Sequence, residues 1–261
     1  MSKASENRKR ARERLARERA QAARRRHRNW WLAGGVGAVV IAAAVAIPLA
    51  VAGGGGSGSG TGGGTAEPLR LSALSTLGPL KPAPPGGPLG AEGVPVPKAA
   101  PLAGTTGKAT GQSVDGIGCS TSEQTLFHIH AHLTVFVNGV ARQVPASIGI
   151  PGAQVQQTAQ GPFVASGTCF YWLHTHVADG VIHIESPVRR AYTLGEFFDE
   201  WRQPLGPGQV GPARGHVTTI YNGKVYHGNP RTIPLAAHAQ IQLEVSTPLV
   251  APESITWPSG L

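Results

Sequence analysis

Cys169-Phe-Tyr-Trp-Leu-His174-Thr-His176-Val-Ala-Asp179-Gly180-Val-Ile-His183-Ile-Glu185 is the stretch on which the reading of the fold turns. Apolar and β-branched residues flank Asp179-Gly180, a pair suited to the two-residue type I′ turn of a β-hairpin. With that turn His176 faces His183 and His174 faces Glu185. Residues opposed across a hairpin, or two apart on one strand, share a face of the sheet. Three imidazoles and a carboxylate then form a square of ligands, while Leu173, Thr175, Ile182 and Ile184 point the other way. Moving the turn by one residue, to Ala178-Asp179, changes the pairs but keeps the four on one face. A three-residue loop breaks the pattern.

Upstream, Leu126-Phe-His128-Ile-His130-Ala-His132-Leu-Thr-Val-Phe-Val137 reads as a strand closed by Asn138-Gly139, a strong hairpin signal. Ile129, Ala131, Leu133, Val135 and Val137 form its apolar face, so His128, His130 and His132 share the opposite one. The return strand runs over about residues 140–144, where Pro145 marks a strand end. Residues 150–167 are rich in Gln, Gly and Pro and read as loop. Downstream, Thr193-Leu-Gly-Glu196 is a capping box opening a short helix with Leu194, Phe197, Phe198 and Trp201 on one packing face. A third hairpin, Val217–Tyr221 and Lys224–His227, closes over Asn222-Gly223. In the last strand Ala239, Ile241, Leu243 and Val245 alternate with His238, Gln240, Gln242 and Glu244. Residues 113–250 are therefore expected to be a mainly β (α+β), compact antiparallel domain with three hairpins and one short helix. The tail 251–261 reads as loose.

The formal charge of +9 belongs wholly to residues 1–29, which hold twelve basic and three acidic residues. The remainder is neutral, so the high pI argues for no nucleic-acid surface on the β domain. Residues 30–52, from Trp30-Trp31 to Ala52, carry no charge and as a helix would span the roughly 30 Å hydrocarbon core. Arginines on the N-terminal side predict a cytoplasmic N-terminus and an extracytoplasmic remainder, with 1–29 on anionic lipid of the cell membrane. A cleaved signal peptide ending at Ala50-Val-Ala52 is the competing reading, opposed by the long basic segment and the length of the apolar span. Residues 53–112, first Gly/Ser and then Pro/Ala-rich, read as a disordered, extended linker without chemistry of its own.

Both cysteines, Cys119 and Cys169, lie outside the membrane in this topology, where a disulfide is the default. Strand parity puts Cys169 on the face opposite His174 and His176, which argues against a metal-ligand role.

Nine of the ten histidines fall in the β domain, six of them in two short segments. A His-x-His on a strand sets two imidazoles about 6.6–6.8 Å apart on one face, able to converge on one ion. The candidate metal set is His174, His176, His183 and Glu185 with His128, His130 and His132, enough for one site with spare groups or for two metals. Ideal strand spacing puts His128 and His132 about 13 Å apart, so two of the first-strand triplet are expected as ligands of any one ion. His216, His227 and His238 read as surface residues. Nitrogen-dominated ligation suits Zn, Cu(II), Ni or Fe and disfavours Ca and Mg, with Zn or Cu the expected ion.

The His-x-His with a later Glu is faintly similar to a cupin metal motif, but His183 intervenes and Glu185 comes too late. The His128-x-His130-x-His132 run lacks the Asp of the metallo-β-lactamase motif. The chain does resemble a group of single-pass or secreted prokaryotic proteins. These pair an HxHxH strand with a segment like Leu-His174-Thr-His176-(x)3-Gly180-x-Ile-His183-Ile-Glu185-Ser-Pro187, then one like Tyr192-Thr-Leu-Gly-Glu-Phe-Phe198. That resemblance implies a domain over most of 115–247 and no particular activity. The expected function is a membrane-anchored, extracytoplasmic transition-metal-binding domain. The alternatives are a metal-dependent enzyme using the same cluster and a pH-responsive envelope interaction domain.

Overall fold

Eight strands form one mixed sheet in the computed structural model, which describes residues 68–105 and 110–261. The basic segment 1–29, the apolar span 30–52 and the Gly/Ser stretch of the linker lie outside the described residues. Among the described residues no helix is long and apolar enough to cross a membrane. Residues Gly64–Leu261 make up one compact unit.

The strands of this sheet are β1 (Leu71–Ser72), β2 (Phe127–Val137), β3 (Val140–Arg142), β4 (Leu173–His174), β5 (Val181–Ser186), β6 (Val217–Tyr221), β7 (Lys224–Tyr226) and β8 (Ala239–Val245), and the described residues hold one α-helix, α1 (Leu194–Trp201). Their order is β1-β7-β6-β8-β2-β5-β4, with β3 beside the second half of β2. The β8–β2 pair is parallel, in register from Ala239↔Ala131 to Val245↔Val137. That is a departure from an all-antiparallel domain. Apolar alternation on a strand assigns its faces but not the direction of its neighbour, so nothing local to either strand carried it.

The alternation sorts the two faces as its period requires. Ala131, Leu133 and Val135 of β2, Ile182 and Ile184 of β5, and Ile241, Leu243 and Val245 of β8 enter the main core. Onto this face packs α1, with Leu194, Phe197, Phe198 and Trp201 fully buried. Its capping box is complete: Glu196 N–H donates to Thr193 Oγ1, and Glu196 Oε2 accepts from Thr193 N–H at 2.7 Å. The expected hairpins over Asn138-Gly139 and Asn222-Gly223 are present, all four turn residues at positive φ as a type I′ turn demands.

The central stretch folds differently from a two-residue hairpin. β4 and β5 pair as Leu173↔Ile184 and His174↔His183, leaving Thr175–Gly180 unpaired. Gly180 has positive φ but Asp179 does not, so no type I′ turn forms. The register is that of the Ala178-Asp179 alternative, so His174 of β4 stays on one face with His183 and Glu185 of β5. Gly180 lies against β2, where a Cβ would meet the Leu133 carbonyl oxygen at 2.4 Å. Gly149 plays the same part at the outer edge of β4, a Cβ there meeting the Leu173 carbonyl at 2.3 Å. Residues 147–149 thereby cap that edge with backbone hydrogen bonds to Tyr171 and Thr175.

The opposite face is covered by chain without regular structure. Residues 68–105, read from composition as linker, lie along the domain: β1 pairs with β7, Lys81 bridges Val250, and Val94 is wholly buried. Prolines deny most of this segment a long ladder or an α-helix but not a packed position. Residues 251–257 are held too, Glu253 and Ile255 donating backbone N–H to Gln242 Oε1 and Gln240 Oε1. Residues 150–167, read as loop, contain a hairpin of Gln154–Thr158 with Gly161–Ser166. Its first arm is exposed throughout, so no burial pattern marks it in the sequence.

Candidate metal centre

Three neighbouring strands bring the histidines together. His183 on β5 stands directly between His130 on β2 and His174 on β4, and His128 stands opposite Glu185. His176 joins from the loop that follows β4. The disulfide Cys119–Cys169 forms as expected, with Cα atoms 5.5 Å apart. It ties β4's approach to the segment carrying Glu123.

Two constellations emerge. In the first, His128 Nε2 lies 3.1 Å from His130 Nε2 and 3.1 Å from Glu185 Oε1. His183 Nδ1 lies 3.1 Å from His130 Nε2 and 3.3 Å from Glu185 Oε1, closing a ring of four ligand atoms. In the second, His174 Nε2 and His176 Nε2 are 3.1 Å apart. Glu123 Oε1 stands 3.5 Å from His176 Nε2. Ligand atoms of His128, His130, His183 and Glu185 lie within 4.8 Å of one another, as do those of His174, His176 and His183, and those of Glu123, His174 and Glu185. Ligands 2.0–2.1 Å from a metal are separated by about 3.3 Å in a tetrahedron and about 2.9 Å along a square edge. The spacings of 3.1 and 3.3 Å within the ring and of 3.1 Å between His174 and His176 fall in that range, and the 3.5 Å from Glu123 to His176 is slightly longer.

Tautomers sharpen the picture. His174 Nδ1 lies 2.8 Å from the Tyr171 carbonyl oxygen, and His176 Nδ1 lies 2.6 Å from that of Val164. A carbonyl only accepts, so each Nδ1 carries the proton and each neutral ring turns a bare Nε2 lone pair toward the other. Two lone pairs at 3.1 Å repel. Burial keeps both rings neutral by lowering their pKa values, and the charges of neighbouring histidines add to it. Anchoring of the distal ring nitrogen by a carbonyl is also how metal-ligating histidines are held.

His183 is anchored by a carboxylate instead. Its Nε2 lies 2.7 Å from Glu92 Oε1, a residue of the Pro-rich stretch. Burial alone would lower the His183 pKa, but hydrogen bonds to Glu185 and Glu92 outweigh it and lift it to about 9. Burial likewise opposes ionisation of Glu185, yet His128 and His183 hold its carboxyl well below the usual range. A proton on His183 and a metal ion in its place both neutralise the Glu185 charge. Burial takes His130 down to about 3.

His132 stands apart from these groups. Its Nε2 is 2.8 Å from the Asp179 carbonyl, fixing the loop before β5, and burial lowers it to about 4. Two of the three first-strand histidines thus join the cluster. His227 meets Ser72 Oγ at the surface, and His238 stacks on Trp257. Glu92 and Glu123 carry no legible signal: each is a lone acidic residue in irregular chain, far in sequence from the histidine it meets, His183 and His176 respectively. No family model matches this chain, and neither a curated protein nor a solved structure is significantly similar to it.

Proposed function

We propose that this chain is a membrane-anchored, extracytoplasmic protein whose β domain binds a transition-metal ion, Zn or Cu, through the histidine–carboxylate cluster. The observation that carries the reading is the His174–His176 pair. Both Nδ1–H groups are committed to carbonyls, so the opposed Nε2 lone pairs have no proton between them and are relieved by a cation. The nearby carboxylates supply the charge such an ion needs, and burial spares His174 and His176 competition from protons at neutral pH. Imidazole-rich donors with no thiolate or thioether select Zn or Cu(II) over Ca or Mg.

The test is metal analysis of the full-length protein, purified without a histidine tag, beside a His174→Ala/His176→Ala variant. Bound metal in the first and a reduced amount in the second are expected. A protein that takes up neither Zn nor Cu(II), and whose melting temperature is indifferent to both, would end the metal reading.

A further inference from the structure

The cluster holds more donors than one ion can use. A tetrahedral ion takes four ligands. The ring of His128 Nε2, His130 Nε2, His183 Nδ1 and Glu185 Oε1 already supplies four, with successive contacts of 3.1, 3.1, 3.3 and 3.1 Å. An ion seated there leaves the His174–His176 pair unrelieved. Glu185 faces both groups: Oε1 is turned to His128 and His183, while Oε2 is buried with no hydrogen-bond partner. A carboxylate oxygen of Glu185 and one of Glu123 both fall within 4.8 Å of a His174 ring nitrogen.

We infer that the centre binds two transition-metal ions bridged by Glu185. This deepens the metal-binding reading and rests on it. The first ion takes His128, His130, His183 and Glu185 Oε1. The second takes His174, His176, Glu123 and Glu185 Oε2. The division follows the burial of the ligands: His174, His176 and His183 are buried, while the Glu123 side chain is 43 % and that of His128 40 % exposed. Each ion therefore has one ligand at the surface, and the bridging carboxylate is inside. Three carboxylates, Glu123, Glu185 and Glu92 behind His183, offset the charge of the two dications. A carboxylate bridge sets such ions roughly 3.5–4 Å apart.

Stoichiometry and magnetic coupling together decide it. The full-length, untagged protein, stripped with chelator and reloaded with Zn, should hold two ions per chain. His128→Ala/His130→Ala and His174→Ala/His176→Ala should each hold one, and Glu123→Ala should bind its second ion at least 10-fold more weakly while keeping the first. Co(II) loading of the unmodified protein avoids dependence on variants that fail to fold. Two equivalents should give an exchange-coupled signal in electron paramagnetic resonance that one equivalent lacks. Saturation at one ion per chain, or two Co(II) ions without coupling, overturns the bridged pair while leaving metal binding intact. Saturation at zero defeats both.

Discussion

At the residue scale, the informative groups are those whose protons are already spoken for. His174 and His176 donate to backbone carbonyls, which orients each ring and selects its tautomer before any ion arrives. His183 is oriented by Glu92, and this predicts a loss of metal affinity without loss of fold. Glu92→Ala should weaken Zn binding about 10- to 100-fold, measured by chelator competition, with an unchanged circular dichroism spectrum. Glu244, remote from the histidine cluster on β8, offers a pH test. Burial lifts its carboxyl to about 7 from an ordinary 4.5, and its Oε2 has no partner. The folded state therefore binds the extra proton between those pH values. Its contribution is full below about 4.5 and is lost as pH rises through about 7. Glu244→Gln keeps the neutral form at every pH. Its advantage over the parent should grow by about 2–3 kcal/mol between pH 4.5 and 8 in urea denaturation.

At the scale of elements, β2 is the strand on which the two halves of the domain meet. One edge carries β8 in parallel, and the other carries β5 and β3 end to end. Its odd residues serve the core under α1, and His128 and His130 on the other face serve the metal cluster, so the two requirements never compete for a position. The helix is held by a complete cap and an aromatic face. Thr193→Ala should cost about 1 kcal/mol and Phe198→Ala about 3–5 kcal/mol in chemical denaturation. Both changes lie on the far side of the sheet, so neither should alter metal stoichiometry in the folded protein.

At the scale of the molecule, irregular chain does the covering that a second sheet does in a sandwich. The 68–105 stretch brings Glu92 and Val94 down onto the histidine face, and residues 250–255 hydrogen-bond to Gln240, Gln242 and Glu244 Oε1. A chain beginning at residue 113 should therefore lose stability and bind Zn more weakly than one beginning at residue 64. Melting temperature and chelator competition on the two would show it, and equal values would make the stretch a mere tether. The disulfide closes a loop spanning a sequence separation of 50, worth roughly 4 kcal/mol in the chain-entropy model. Its reduction should lower the melting temperature.

The sequence by itself determined which residues share a face, because side-chain alternation in a strand is a local property. From it follow the histidine face of β2, the one-face set His174, His176, His183 and Glu185, the aromatic face of α1 and two type I′ turns. The hairpin register was legible only to within its parity: the register found is the one-residue shift of the turn, which leaves every histidine on its side. What only the tertiary structure decided is non-local. The parallel pairing of β8 with β2, the proline-rich cover, and the arrival of Glu92 and Glu123 beside His183 and His176 depend on long-range packing. Prolines and glycines without periodicity fix where a chain cannot form a ladder or a helix. They leave open where it will lie.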